Sequence, residues 1–105
     1  MNEDFGLVII SAPKTHAEPL SLALVEKGAA ACVQAISGVV STYRWKGKIE
    51  RDEEVLLLAK TRRSKLEEIS LLLKALHPYE VPELVFLPIT GGSQPYLDWL
   101  GASVS

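Results

Sequence analysis

Any chemistry in this chain must come from a handful of side chains. Cys32 is the only cysteine, a soft ligand and a potential nucleophile, and His77 is one of two histidines. Together with Glu50 or Glu54 they could hold a copper or zinc ion, because thiolate, imidazole and carboxylate all suit such metals. None of the four shows local ligand spacing. Cys32 lies between Ala31 and Val33, whereas a reactive thiol wants Lys, Arg or a helix N-terminus beside it. A single cysteine in an Ala/Val-rich strand is ordinarily a small buried hydrophobe.

His77-Pro78-Tyr79 is a sharper motif, since proline disfavours helix at the residue before it and fixes how the two flanking rings are presented. His77 then either faces a cleft with Glu80 or Glu83, or closes a helix by complementing its dipole and bonding the last carbonyls. Lys60 follows Leu56-Leu57-Leu58-Ala59 and precedes Thr61-Arg62-Arg63. It is either an anion contact in a cleft or a strand-end lysine that snorkels. His16 reads as a solvated residue beside a helix start. Tyr43 and Trp45 could stack on a ligand, but aromatics near a hairpin tip more often anchor an interface. The mixed-sign run from Lys46 to Glu54 reads as an edge-protecting, pairing surface.

The bulk composition limits what these residues can serve. A chain of 105 residues has room for one domain, residues 1–105, and its 48% apolar content is enough for one continuous core. A charged fraction of 23% and a formal net charge of -2, with the signs interspersed, leave no basic face for nucleic acid. Apolar runs fall far short of the roughly 20 residues that cross a bilayer, so no membrane partner is expected. Met1-Asn2-Glu3-Asp4 is acidic where a signal peptide would be basic. The lone cysteine suits a reducing compartment, and the expected location is the cytoplasm.

The elements that must position these side chains follow from pattern. Phe5-Gly6-Leu7-Val8-Ile9-Ile10 is short and continuously apolar, which predicts a central strand buried on both faces, closed by Ser11-Ala12-Pro13. Thr15 and Glu18 predict a capping box, Pro19 falls in the first turn, and Gly28 predicts a left-handed C-cap. From Ala30 to Trp45 the β-branched and aromatic residues predict a long second strand, bent or bulged at Gly38. Lys46-Gly47-Lys48 reverses the chain into a third strand ending at Lys60, giving a long hairpin whose inner half joins the core. Ser64 and Glu67 predict a second capping box, and Leu66, Ile69, Leu72, Leu73 and Leu76 mark the stripe of a helix that stops near His77. Leu84-Val85-Phe86-Leu87 predicts a fourth strand. Tyr96-Leu97-Asp98-Trp99-Leu100 is a short C-terminal element, either helical turn or strand stub.

The order β-α-β-β-α-β predicts an α+β, ferredoxin-like antiparallel sheet with both helices on one face. Its other face must be polar or must be covered, and the hairpin carries Tyr43 and Trp45, which a lone copy would expose. Self-association is the simplest remedy. An acylphosphatase-like hydrolase would want an Arg in a Gly-rich anion cradle after the first strand, yet the loop is Ser11-Ala12-Pro13-Lys14-Thr15. An RNA-recognition sheet would need exposed aromatics on central strands and a basic surround. The chain is not expected to be an enzyme.

Across nearly its whole length the chain resembles the CutA divalent-cation-tolerance family. The likeness runs through Ser11-Ala12-Pro13, Ala30-Ala31-Cys32-Val33, Tyr43-Arg44-Trp45-Lys46-Gly47-Lys48-Ile49-Glu50, Leu76-His77-Pro78-Tyr79-Glu80-Val81-Pro82-Glu83 and Tyr96-Leu97-Asp98-Trp99-Leu100. The resemblance implies a ferredoxin-like protomer in a tight homotrimer similar to PII signalling proteins, with hairpins paired between subunits. It implies a link to tolerance of copper and other divalent cations and, for eukaryotic relatives, a protein partner to be anchored. On that reading Cys32, His77 and Glu50 are candidate metal ligands, and Lys60, Tyr79 and Glu83 would line a cleft between subunits. Tyr43, Trp45, Ile49 and Trp99 would form the trimer interface. Some bacterial relatives place a further thiol at the position of Ile10 and an imidazole at that of Leu76, so a metal site relying on those is lost here.

Overall fold

The computed structural model describes residues 4–104; Met1, Asn2 and Glu3, which carry the expectation about export, and Ser105 lie outside the described residues. The elements are β1 (Phe5–Ala12), α1 (Lys14–Glu26), β2 (Cys32–Trp45), β3 (Lys48–Arg62), a 3-10 turn (Arg63–Lys65), α2 (Leu66–Leu76), β4 (Val85–Pro88) and α3 (Gln94–Ser103). The four strands form one antiparallel sheet in the order β2-β3-β1-β4. The expected α+β, ferredoxin-like arrangement is therefore present, with the fourth strand shifted one residue later and the C-terminal element resolved as a helix.

Alternation along the strands sorts residues onto two faces. Val8, Ile10 and Ala12 of β1 pair with Ala59, Leu57 and Val55 of β3. All six are buried in one cluster with Leu20 and Leu24 of α1 and Ile69 and Leu73 of α2. The opposite face carries Leu7, Ile9, Leu56 and Leu58, which are half-buried, and Ile36, Val85 and Leu87, which are exposed. β1 is thus central but not buried on both faces within one chain. One end of that open face is covered by α3, whose Leu97 and Leu100 pack on Phe5 in a separate small core. The third helix therefore lies across the sheet from the other two.

Arg62 fastens α3 in place. Its Nε donates to the Val104 carbonyl at 2.6 Å, another guanidinium N–H donates to the Gly101 carbonyl at 3.1 Å, and the group lies 4.8 Å over the Phe5 ring. A planar guanidinium is suited to collecting several acceptors and an aromatic face at once.

The helix ends show which local signals held. Gly28, with φ of 73°, donates to the Val25 carbonyl while Ala29 donates to that of Leu24, the paired bonds of a Schellman cap. Neither capping box forms. α1 begins at Lys14 behind Pro13, whose carbonyl accepts from His16 and Ala17, so Thr15 is already inside the first turn and bonds the His16 ring instead. Pro19 falls in the second turn rather than the first. There it removes the N–H that would have met the Thr15 carbonyl, and both residues are exposed. At α2 the 3-10 turn runs straight into the helix, so Ser64 never takes the extended conformation that capping requires.

The hairpin is long because β2 and β3 stay paired from Cys32↔Lys60 to Trp45↔Lys48, with one shift in register between Ile36 and Val39. Gly38 sits in that shift at φ of 77°, the bulge expected from its position. The tip is a two-residue loop, Lys46-Gly47, with φ of 51° and 80°. Positive φ at both positions defines the type I′ turn that fits the twist of the flanking strands.

Candidate functional site

A concavity opens where the outer hairpin faces the loop that follows α2. It has a volume of about 750 Å³ and is lined by Ser11 at the end of β1, by Ser41, Thr42, Tyr43 and Trp45 of β2, by Glu54 of β3 and by the loop residues 78–83. Alternation explains the hairpin wall, since Ser41, Tyr43 and Trp45 project to one side together with Asp52, Glu50 and Lys48 opposite them. The Tyr43 hydroxyl donates diagonally to the Asp52 carboxylate. That bond, more than any other influence, pushes the Tyr43 phenol up to about 12.

His77 builds the opposite wall. It is buried at the C-terminus of α2, and its Nδ1 lies 3.2 Å from the Tyr79 backbone N–H. Because that N–H only donates, Nδ1 must accept, which leaves Nε2–H to donate to the Ser11 carbonyl at 2.8 Å. The histidine therefore pins the loop to the end of β1; it bonds a strand carbonyl rather than the last carbonyls of its own helix. The His77 and Tyr79 rings are 4.7 Å apart and tilted by 59°. Held in this way, Tyr79 donates its hydroxyl to the Glu54 carboxylate at 2.8 Å. Burial first, and then the neighbouring Glu54 carboxylate, hold the Tyr79 phenol well above the usual tyrosine range. Glu54 itself is only 5% exposed, so this hydroxyl is the partner that makes its burial tolerable.

The candidate metal ligands do not meet in one chain. Cys32 lies opposite Lys60 of β3, His77 is tied to Ser11 opposite Leu56, and Glu50 lies opposite Tyr43. At about 3.3 Å per residue these stations are about 13 Å and about 20 Å apart along β3. Both His77 nitrogens are already bonded. Among the described residues no three His, Cys, Asp or Glu side chains gather as a metal would need. Ile10 is fully buried in the core and Leu76 is exposed, and neither can supply a donor.

Of the three residues expected in a cleft, Tyr79 and Glu83 line this one and Lys60 does not. Lys60 belongs to the far station, where its Nζ donates to Gln34 at 2.7 Å and lies 5.6 Å over the Tyr96 ring. Tyr43 and Trp45 are both 38% exposed, and Ile49 stands out at 60% on the outer hairpin. Trp99 is at the opposite end, beside Tyr96 with ring centres 5.3 Å apart and planes tilted by 42°. Sequence reasoning missed the burial of Glu54 and the tie between Tyr43 and Asp52. The signal for the first was available: Glu54 adjoins Val55-Leu56-Leu57-Leu58, and a polar residue at the mouth of an apolar run is where a buried carboxylate would enter.

Comparison with known proteins bears on the family and the backbone. The family model described as CutA1 divalent ion tolerance protein matches residues 6–103. A Xenopus laevis protein named "Protein CutA homolog" is 48% identical over 83% of this chain, which spans 58% of that relative's length. The "Divalent-cation tolerance protein CutA" of Thermus thermophilus is 46% identical over 90% of this chain and 92% of its own. A solved structure of the divalent cation tolerance protein (Cut A1) from Thermus thermophilus superposes with a TM-score of 0.92 at 43% identity, covering 96% of this chain and 99% of that one. Sequence and backbone agree from the first strand to the last helix, and the chain belongs to the CutA1 divalent ion tolerance family.

Proposed function

We propose that this chain acts in divalent-cation tolerance as a homotrimeric binding module, taking a cation, copper or another metal or a small ligand, in clefts completed between protomers. The observation that carries this reading is the coexistence on one chain of an acidic, ring-lined cleft and an apolar sheet face that α3 covers only at one end. Leu7, Ile9, Ile36, Leu56, Leu58, Val85 and Leu87 make that face, and neighbouring copies would remove it from water. The outer hairpin, which extends a molecule 44 Å long, is the element such copies would share. No catalytic step is part of the reading. A reducing, cytoplasmic setting belongs to it, supported by Cys32 as a lone thiol.

The metal form of the proposal demands a second protomer, because the donors of one chain lie at separate stations along β3. A second reading, a trimeric signalling or partner-anchoring scaffold without a metal site, is favoured by that same separation and by the full use of the His77 nitrogens. Sedimentation and calorimetry discriminate between them. The binding reading expects a trimer at micromolar concentration and a saturable site for Cu(II) or Zn(II) tighter than about 10 micromolar. A trimer without such a site favours the scaffold, and a folded monomer removes both.

A further inference from the structure

The cleft's walls are more selective than a general cation site would be. Three carboxylates, Glu54, Glu80 and Glu83, and three rings, Tyr43, Trp45 and Tyr79, line it, with no lysine or arginine among the described residues that form its lining. A hard divalent ion takes six or more oxygen ligands or keeps its waters, and rings offer it nothing. Glu54 is engaged with Tyr79, which leaves only Glu80 and Glu83 as exposed carboxylates. An organic ammonium differs in each respect. Its charge is satisfied by carboxylates and by aromatic faces, and its carbon stem gains from ring and proline surface. A volume of about 750 Å³ suits a small organic molecule.

One side chain of the protein already makes this contact. The Lys46 ammonium lies 5.6 Å from the centre of the Trp45 ring and 4.0 Å from a Glu80 carboxylate oxygen. It sits at the rim between an aromatic face and an acid. Both partners of the ion pair are 72% exposed, so the contact is weak and exchangeable.

Building on the reading of this cleft as a ligand site, we propose that its ligand is an organic ammonium ion, a protonated amine, and that Lys46 is an internal competitor which the ligand displaces from Trp45 and Glu80. The cleft thereby distinguishes amines from bare metal ions through its rings, and acid from base through its carboxylates.

Calorimetric titration of the purified full chain at low salt tests this, with the diamine putrescine and its neutral diol analogue as probes. The diamine binds with a dissociation constant below about 1 mM and the diol does not bind. Glu80→Gln with Glu83→Gln weakens the diamine at least about tenfold, as loss of two charge partners requires. Lys46→Asn keeps the turn, since Asn tolerates positive φ, and tightens diamine binding by about two- to fivefold, the range a weak surface pair allows. Equal binding of the diol, no binding of the diamine, or diamine binding indifferent to the glutamine pair overturns the proposal. Parallel titration with Zn(II) separates the two levels: a zinc site without an amine site removes the amine and keeps the cleft as a ligand site. No saturable ligand of any kind removes both and leaves the cleft to be filled by another copy of the chain.

Discussion

The inner and outer halves of the hairpin are made of the same two strands, yet they obey different rules. On the inner side of the Gly38 bulge, Val55, Leu57 and Ala59 are buried in the core cluster with helices of the same chain, and Thr61 is buried with its hydroxyl donating to the Ala29 carbonyl. On the outer side, Val40 is 56% and Ile49 60% exposed, and the pairs are charged or aromatic. The inner half has its partners within the chain. Apolar side chains on the outer half, Val40 and Ile49 among them, stand exposed on the single chain. Helix cover and strand composition change together at the bulge.

That contrast is broken most directly by matched truncations. Leu57→Ala, in the fully buried inner half, should lower unfolding free energy by about 2–5 kcal/mol in urea titration. Ile49→Ala should change it by less than about 0.5 kcal/mol at dilutions where copies are separate, while raising the concentration at which copies associate in sedimentation. Equal losses from the two would erase the distinction.

A smaller effect tests the junction between the halves. Tyr79→Phe leaves the Glu54 carboxylate buried without its donor, which should cost about 1–3 kcal/mol. Glu54→Gln, which can still accept from the tyrosine, should cost less, and the order of the two is read by the same denaturation curves. The smallest effect lies furthest out. Because the Tyr43 phenol is raised from 10.0 to about 12 by its bond to Asp52, its neutral form is the one the fold favours. Its contribution is complete below pH 10 and fades as pH climbs towards 12. Phenolate absorbance should therefore show late-titrating tyrosine, and Tyr43→Phe should remove part of it.

Much of the scaffold was legible because local chemistry and tertiary structure agree there. Gly28 ends a helix, Gly38 marks a bulge and Lys46-Gly47 turns a hairpin, each through backbone conformations that few other residues adopt readily. The failures came where a signal depends on the conformation of one preceding residue. Thr15 and Ser64 have the right neighbours for capping, but helical geometry begins before them, so no cap position exists at either. α3 was ambiguous because a short apolar segment carries no period of its own, and Phe5 and Arg62, distant in sequence, decide it. At the site, Tyr79 and Glu83, which the family resemblance assigns to a cleft between subunits, line a cleft within one chain. The separation of Cys32, His77 and Glu50 could not be read from the sequence, because it depends on which residue of β3 each one faces.

The bulge at Gly38 gives the outer hairpin the mechanics of a lever. From Val39 to the tip the ribbon extends about 24 Å at 3.4 Å per residue, so a bend of about 10° at the kink would carry Trp45 by about 4 Å while Ser11 stayed still. A substitution at Gly38 that changed the bend would therefore alter the gap between Trp45 and the loop at residues 78–83 without touching its lining.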